Sequence, residues 1–517
     1  MSVDITLSWW LAIVPEICLT VLLFIVLLYY RIAGKDNMRQ TGVFTAWGAF
    51  IILLITLGMW AFFNEPSATP ELVWGGMIRH DAVTLVFRVM FLVALMVTAL
   101  VSVEVESLQS SEYYGLLVAA TIGFSLMAAG ADLIMIYLAL ETASISSYVL
   151  AGYHTKDKRS SEAGMKYFVY GAFATGIMLY GMSLIYGLTT HTNLYVIGDI
   201  LSGNTTSHLS EVSRAIVRDT AFSGGSLTTE ANGVLLLAAV MVIVGFGYKV
   251  SAFPFHFWTP DVYDGAPTPF TGFVSTASKA AGFAIFIRVF SAGVLGEASF
   301  SNPWWAVLVA MSIITMAYGN FVAIFQTNIK RLLAYSSIAQ AGYAMIGLIT
   351  FSQDGTGAGA TMFYLLMYVF TNIAAFGVII LVSKVTGSEE LKDYSGLSRR
   401  SPYLALAMML AILSLGGIPP TAGFLGKFFL FKAAVDAGLW WLALIGILLA
   451  FVALYYYLNV IKYMYLYRSE EEDQAIPVSR AAQVGLAFSV FFIILLGVYA
   501  GPAIDWTNQA ATAFFPG

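Results

Sequence analysis

The sequence contains many apolar stretches of about twenty residues, and this pattern constrains the fold more than any other feature. A helix of about that length crosses the roughly 30 Å hydrocarbon core of a bilayer, and inside lipid every backbone polar group must be satisfied within the protein. The composition, 59% hydrophobic and only 11% charged, agrees with this setting. We predict an all-α polytopic membrane protein with fourteen spans, numbered 1 to 14, near residues 8–30, 43–63, 81–103, 113–130, 132–153, 162–190, 233–258, 268–291, 304–325, 331–351, 360–383, 402–435, 438–466 and 480–503.

Charges in the loops indicate the orientation. Most loop lysines and arginines fall on the side of the 31–39 loop, whereas the opposite side carries Arg79, Arg214 and Arg218. By the positive-inside rule the first side is cytoplasmic, with both termini outside. The first apolar run, 8–30, is too long for the core of a signal peptide and is predicted to be a retained helix.

Composition also excludes several function classes. A net charge of −5 without a block of like charges gives no surface for nucleic acid. The single cysteine, Cys18, and five scattered histidines provide no spacing typical of iron–sulfur, zinc or c-type haem sites. We therefore expect no metal and no cofactor in this chain.

Prolines interrupt two spans away from their ends: Pro254 in span 7, and Pro419 with Pro420 in span 12. The two spans are five apart, and a second unit of five helices must begin on the opposite face because five is odd. Spans 4–8 and 9–13 are thus predicted to form two inverted five-helix repeats with discontinuous helices 7 and 12, an arrangement typical of transport sites. The predicted units are 1–111, 112–292, 303–466 and 467–517. The alternative is two ordinary kinked helices.

Four charged residues lie deep in spans: Glu141, Lys249, Lys279 and Lys427. Each is about 12 Å or more from the nearer end of its span, too far for a lysine to reach water by snorkelling. Each costs about 2.5–3.5 kcal/mol at the membrane centre, so these groups must be hydrated, paired or neutral. A lysine held between burial and a nearby carboxylate can exchange a proton. The alternative is a set of static ion pairs.

Other charges within spans have simpler interpretations. Arg288, Lys432 and Lys462 lie near span ends and are expected to snorkel. Arg88 is deeper and is expected to pair within span 3, and Glu16 has no assignable partner.

Two further residues remain ambiguous. Lys166 follows Glu162 by one turn, so it is either half of a surface pair or part of a proton path. Pro254 frees a backbone carbonyl, which His256 could bond; His256 could instead relay protons.

Several motifs resemble those of a known family: "YLALETASISSYVLAGY", "EAGMKYFVYGAFATG", "KVSAFPFHFWTPDVYDGAPTPFTGFVSTASKAAGFA", "NIKRLLAYSSIAQAGY" and "GGIPPTAGFLGKFFLF". Together they closely resemble the N-type antiporter-like membrane subunit of the proton-pumping NADH:quinone oxidoreductase, respiratory complex I. The resemblance covers spans 4–13 well and the remaining spans by layout. The family fold has fourteen helices with two inverted five-helix repeats, as predicted independently above.

The resemblance implies a function. Glu141, Lys249, Lys279 and Lys427 match the family's proton path, and Lys166 matches its helix 6 lysine. Protons would move along these residues when quinone reduction elsewhere perturbs a line of charges. Moving one charge across 100 mV requires about 2.3 kcal/mol, and a pKa change of two units is worth about 2.7 kcal/mol. Forming or separating one ion pair therefore changes the free energy enough to drive the movement of one proton.

The resemblance also implies the setting. NAD, FMN, iron–sulfur clusters and quinone are expected in partner subunits. The expected partners are the other membrane subunits of the complex, especially neighbouring antiporter-like and small ones, and the expected location is the bacterial inner membrane. The chain stops soon after span 14, without a long lateral helix, which favours the N-type over the largest antiporter-like subunit. The segment 191–232 matches no motif and is interpreted as a lineage-specific loop.

Three alternative functions remain open from sequence. The nearest is the related subunit of a multi-subunit cation/proton antiporter, which would show sodium-dependent exchange without a quinone reductase. A fourteen-helix solute exporter would need a cavity of substrate size. A purely structural membrane scaffold would leave the buried lysines unexplained.

Overall fold

All fourteen predicted spans form helices, here called α1 to α14. The computed structural model describes residues 7–33, 38–63, 65–66, 71–201, 222–223, 226–227, 229–291, 303–351, 355–468 and 475–512. Twelve of the described helices are long and apolar enough to cross a membrane, and α1 and the first half of α12 are shorter apolar helices. In chain order the bounds are Val14–Ala33, Met38–Phe63, Ala82–Ser102, Ser111–Ala129, Leu133–Ala151, Lys158–Thr189, Thr229–Val250 with Trp258–Gly265 (α7), 268–291 (α8), Pro303–Ala323, Ile329–Ile349, Thr356–Thr386, Pro402–Gly416 with Ala422–Asp436 (α12), Trp440–Leu466 and Arg480–Val498.

Polar residues at the loop edges fix where the helices begin. Asp81, Asp132, Asp157 and Asn328 precede α3, α5, α6 and α10, and each side chain accepts hydrogen bonds from the first backbone N–H groups of its helix. Such caps satisfy donors that have no partner within the helix. They explain why the predicted and observed helix starts agree within a few residues.

Three helices form the centre of the bundle. Helices α8, α10 and α11 are almost wholly buried, whereas α2, α13 and α14 keep most of their residues at the surface. A helix that is apolar on all sides is stable in the core of a large protein. Lys279 therefore lies on a helix enclosed by other helices, away from the lipid-facing surface.

Short elements connect the spans. Strands Glu71–Val73 (β1) and Ile78–His80 (β2) pair in antiparallel register between α2 and α3. A helix over Leu194–Leu201 follows α6, and another over Gly501–Thr512 follows α14, which ends at Val498 and not near 503 as predicted. Within the predicted loop 191–232, residues 202–221, 224–225 and 228 lie outside the described residues.

The expectation for Arg288 was wrong. Its side chain does not snorkel but is fully buried, and its guanidinium forms hydrogen bonds and an ion pair with both oxygens of Asp81. Its Nε also donates to the Ala128 carbonyl at 2.8 Å. The arginine thus ties α8 to the start of α3 and the end of α4, a contact between positions 207 residues apart.

Arg88 also has a different partner from the one expected. It pairs with Glu16 of α1, with 2.8 Å between Nη2 and Oε1, and both residues are buried. This contact supplies the partner that the sequence could not assign to Glu16. Lys432, by contrast, is an exposed residue as expected, and it pairs with Asp436 one turn later.

Candidate functional site

The first break lies in α7. Its first half ends at Val250, Ser251 adopts a left-handed backbone with φ of 64°, and the Phe253–Pro254 peptide bond is cis. The Tyr248 carbonyl accepts a hydrogen bond from Trp258 Nε1 at 3.1 Å. Because proline and the turn remove helical hydrogen bonds, such a replacement donor is needed to keep buried carbonyls satisfied.

Lys249 lies beside this break, one residue before the first half of α7 ends, in agreement with the discontinuous helix predicted from Pro254. Its Nζ donates to Ser144 Oγ at 3.1 Å and lies 5.6 Å from the centre of the Phe124 ring. The residue is only 2% exposed. The buried amine at the end of the first half of α7 therefore contacts one face of α5.

Glu141 precedes Ser144 by three residues and shares that face of α5. It interacts electrostatically with Lys249, but the two groups do not form an ion pair within 4.0 Å. Its Oε1 is buried, and it has no hydrogen-bond partner among the described residues. Glu141 and Lys249 are thus brought close without being locked together, so the static pair considered from sequence is not formed here.

Lys279 follows a turn of π-helix, Val274–Ser278, inside α8. Such turns are frequently found at functional sites. Its Nζ donates to the Ser337 carbonyl of α10 at 2.5 Å, and the residue is 2% exposed. The Ser337 hydroxyl is hydrogen-bonded to Tyr263 at 3.1 Å and to Tyr368 at 2.9 Å.

The second break lies in α12 and places Lys427. The first half ends at Gly416, Gly417 has φ of 80°, and the Pro419–Pro420 bond is cis. Lys427, 4% exposed, donates its Nζ to the carbonyls of Leu415 at 2.8 Å and Gly416 at 3.3 Å. The carbonyls released by the break thus become partners of the amine.

Polar side chains on α10 connect the surroundings of Lys279 and Lys427. Ser336, next to Ser337, is hydrogen-bonded to Tyr457 at 2.5 Å. Gln340 donates to Tyr457 at 3.0 Å and to the Leu415 carbonyl at 3.0 Å, the same carbonyl that Lys427 contacts. A buried series of hydrogen-bonding groups therefore runs between the two lysines.

The sequence interpretation did not single out Ser336, Ser337, Gln340 or Tyr457. A signal was present in "AYSSIAQAGY", where two adjacent serines and a glutamine one turn later interrupt an apolar span. Polar groups in a buried helix must find partners, so this pattern predicts a polar face even without knowing what it meets.

His256 is buried in the α7 break, where its ring stacks on Phe253 and meets the tilted ring of Tyr318 at 4.4 Å between centroids. Neither ring nitrogen has a hydrogen-bond partner in the described chain, and the same holds for Ser251 Oγ and Ser278 Oγ. His256 therefore does not bond the freed carbonyl that the sequence offered it. Buried polar groups of this kind are normally satisfied by ordered water.

Lys166 lies at the edge of the site in an ion-pair cluster. Its Nζ is 2.7 Å from Glu162 and 2.6 Å from Asp261, and Asp261 is also 3.2 Å from Arg331 of α10. Partial burial would raise the pKa of Asp261, but the hydrogen bonds from Lys166 and Arg331 lower it. The surface pair with Glu162 is present, and Asp261 extends it into a link between α6, α7 and α10.

A polar cleft of about 870 Å³ opens beside this cluster. Acidic and basic side chains line it together, and among them Lys330 is bonded to the Ala266 carbonyl at 3.0 Å and to Glu389 at 3.0 Å. Pro267 and Thr268, where α8 begins, also line the cleft. Lys279 lies eleven residues further along α8, about 16 Å.

Within the described ranges, no group of three or more His, Cys, Asp or Glu side chains is arranged to hold a metal ion. The chemistry that the buried groups can perform is proton exchange, because lysine and glutamate side chains both titrate and the hydroxyls between them can donate and accept.

The chain is similar to known proteins over most of its length. Residues 130–453 match a family model described as "NADH:quinone oxidoreductase/Mrp antiporter, TM". NADH-quinone oxidoreductase subunit N of Moorella thermoacetica is 43% identical over 432 residues, 83% of this chain and 84% of that protein. The same-named protein of Desulfitobacterium hafniense is 42% identical over 455 residues, 85% and 86% of the two chains.

A solved structure agrees with these relatives. A chain of respiratory complex I from Thermus thermophilus, determined with bound aureothin, is 30% identical. It aligns with a TM-score of 0.75 over 95% of this chain and 98% of that one.

Proposed function

This chain belongs to the NADH:quinone oxidoreductase/Mrp antiporter membrane family, as a subunit N of NADH-quinone oxidoreductase, and from that premise we propose that it moves protons along Glu141, Lys249, Lys279 and Lys427. It is a proton-translocating membrane subunit of complex I, and thus part of a translocase. The observation that carries the residue assignment is the set of three buried lysines that contact hydroxyls and backbone carbonyls and form no ion pair with a carboxylate in the described chain.

In the proposed mechanism, quinone reduction elsewhere in the complex changes the charge near Glu141. The Glu141 carboxylate approaches or leaves Lys249, which strengthens or weakens the hold of that amine on its proton. The proton then passes to Lys279, and through the groups around Ser337, Tyr457 and Gln340 to Lys427. Lys166 holds Asp261 beside the polar cleft, and His256 is a candidate relay in the break.

The remaining assignments are proposals of the same kind. The two breaks, five helices apart, support inverted repeats over 112–292 and 303–466, flanked by 1–111 and 467–517. NAD, FMN, iron–sulfur clusters and quinone belong to partner subunits. The neighbours are antiporter-like and small membrane subunits, and the location is the inner membrane of a bacterium. Relatives named as subunit N, about 40% identical, favour this function over an independent antiporter, exporter or scaffold.

Replacing Glu141 by glutamine tests the control step. We expect the protons pumped per NADH oxidised to fall while assembly stays normal, because glutamine keeps the shape and Glu141 Oε1 makes no hydrogen bond that the fold needs. The measurement is proton uptake against NADH oxidation in liposomes containing the complex. Glu112→Gln, at an exposed position, is the matched control. Wild-type stoichiometry in the Glu141 variant would disprove its role.

Replacing Gln340 by leucine tests the link between Lys279 and Lys427. The change removes the hydrogen bonds that Gln340 donates to Tyr457 and the Leu415 carbonyl and the one that it accepts from the Tyr364 hydroxyl. We therefore expect weaker pumping and a stability loss of about 1–3 kcal/mol. Asn193→Leu is the control, because it also removes a hydrogen-bonding amide, but one that donates to the Gly76 carbonyl at 2.7 Å and accepts from the Tyr195 N–H outside the spans. Equal pumping by the two variants would argue against the route through Gln340.

A further inference from the structure

An apolar groove runs between α2, α3 and α14, on the surface side of the bundle. It has a volume of about 460 Å³, and Val43, Trp47, Phe50, Leu100 and Phe488 are among its lining residues. Trp47 is 61% exposed. The groove therefore presents apolar side chains to whatever surrounds the bundle and not to the protein core.

One end of the groove is cationic. A second cleft of about 660 Å³ shares Val43 and Arg480 with the groove and is also lined by Arg39 and Ser479. Both arginines are exposed, and in the part of the chain that the structure describes neither is bonded to a carboxylate. Glu104, which reaches this region, is already engaged by the Ser479 N–H at 2.9 Å and by Lys384.

The depth of the groove matches one leaflet of a bilayer. From Arg39 to Phe50 is eleven residues of α2, about 16 Å, and from Arg480 to Phe488 is eight residues of α14, about 12 Å. Half of a hydrocarbon core of about 30 Å is about 15 Å. The cations thus lie about one acyl-chain length from the far end of the apolar lining.

We propose that this groove binds one anionic phospholipid, with its phosphate on Arg39 and Arg480 and an acyl chain along Trp47, Phe50 and Phe488. Guanidinium groups bind phosphate oxygens in a bidentate manner. The arginines lie on the side predicted to be cytoplasmic, where basic pockets between transmembrane helices bind anionic headgroups. An apolar segment of a protein partner would fill the groove but would leave the two charges unmatched.

The test uses the purified NADH:quinone oxidoreductase that contains this chain, delipidated and titrated with phosphatidylglycerol under native mass spectrometry. We expect Arg39→Gln with Arg480→Gln to weaken binding about tenfold or more, because charge-assisted hydrogen bonds are lost. Lys156→Gln with Lys158→Gln is the matched control: it removes the same charge from exposed positions in the α5–α6 loop and at the start of α6 and should leave binding unchanged. Equal weakening in both, or in neither, would overturn the proposal.

Two further variants address the apolar part. Val484→Trp fills the groove from its exposed side and should weaken phosphatidylglycerol binding with the arginines intact; unchanged binding contradicts the site. A photo-crosslinking amino acid at position 47 should give a lipid adduct in membranes. An adduct with a neighbouring polypeptide would show that the groove is a protein interface instead.

Discussion

Replacing Lys427 by alanine is expected to abolish most proton pumping while quinone reduction continues. The variant removes the amine at the far end of the proposed path. A proton that has no side chain to bind it at the membrane centre then meets a barrier of about 2.5–3.5 kcal/mol. A barrier of that size corresponds to roughly two orders of magnitude in rate. The Leu415 carbonyl keeps its bond from Gln340, so the fold should tolerate the change. The measurement is proton translocation in liposomes at matched NADH oxidation.

The controls separate proton transfer from charge. Lys427→Arg keeps a cation, but an arginine side chain does not release its proton in proteins. This variant should therefore lose pumping, as the alanine variant does. Lys432→Ala removes a lysine of the same helix half that is exposed and paired with Asp436, and it should pump normally. If Lys427→Ala pumped at wild-type stoichiometry, Lys427 would have no place in the path.

Replacing Arg288 by methionine should have the largest effect on stability. Removing one partner of a buried ion pair costs about 3–5 kcal/mol, a large part of the 5–15 kcal/mol typical of a folded protein. We expect the amount of assembled complex in membranes to decrease sharply and the melting temperature of the complex to fall. Lys432→Met, which breaks an exposed pair, should cost about 1 kcal/mol or less. Comparable losses in the two variants would contradict the structural role of Arg288.

The ion pair between Arg288 and Asp81 also makes the stability of the fold depend on pH in acid. Burial alone would raise the pKa of Asp81, the cap that precedes α3, but Arg288 and Arg79 lower it from 3.8 to about 2. Because the folded-state pKa is depressed, its stabilising contribution is full above about pH 4 and is lost as the pH falls toward 2. Asp81→Asn should therefore remove this acid-dependent part, and unfolding measured between pH 5 and 2 would reveal it.

Sequence patterns predicted the architecture well because its physical causes are local. Apolar length predicted all fourteen helices, and the prolines at 254, 419 and 420 predicted both breaks. Depth within a span also predicted that Lys249, Lys279 and Lys427 are buried. These inferences need only the length of a helix, the chemistry of proline and the cost of a charge in lipid.

Contacts between distant helices were not predictable in the same way. Arg288 and Asp81 are separated by 207 residues, and distance from a span end indicated a snorkelling arginine. Glu16 and Arg88 also lie on different helices, so their pairing could not be predicted from either helix alone. Which polar residues of α10 meet Lys279 and Lys427 depends on the rotation of each helix, and the sequence does not specify that rotation.

The partners of two central amines have a practical consequence for mutational scanning. Lys427 donates to the carbonyls of Leu415 and Gly416, and Lys279 to that of Ser337. These acceptors belong to the main chain and persist whatever side chain is introduced at those positions. A scan of single substitutions will therefore report the loss of side-chain packing at Leu415 and of the Ser337 hydroxyl bonds, and only changes to the backbone path itself will test the oxygens that hold the proposed proton carriers.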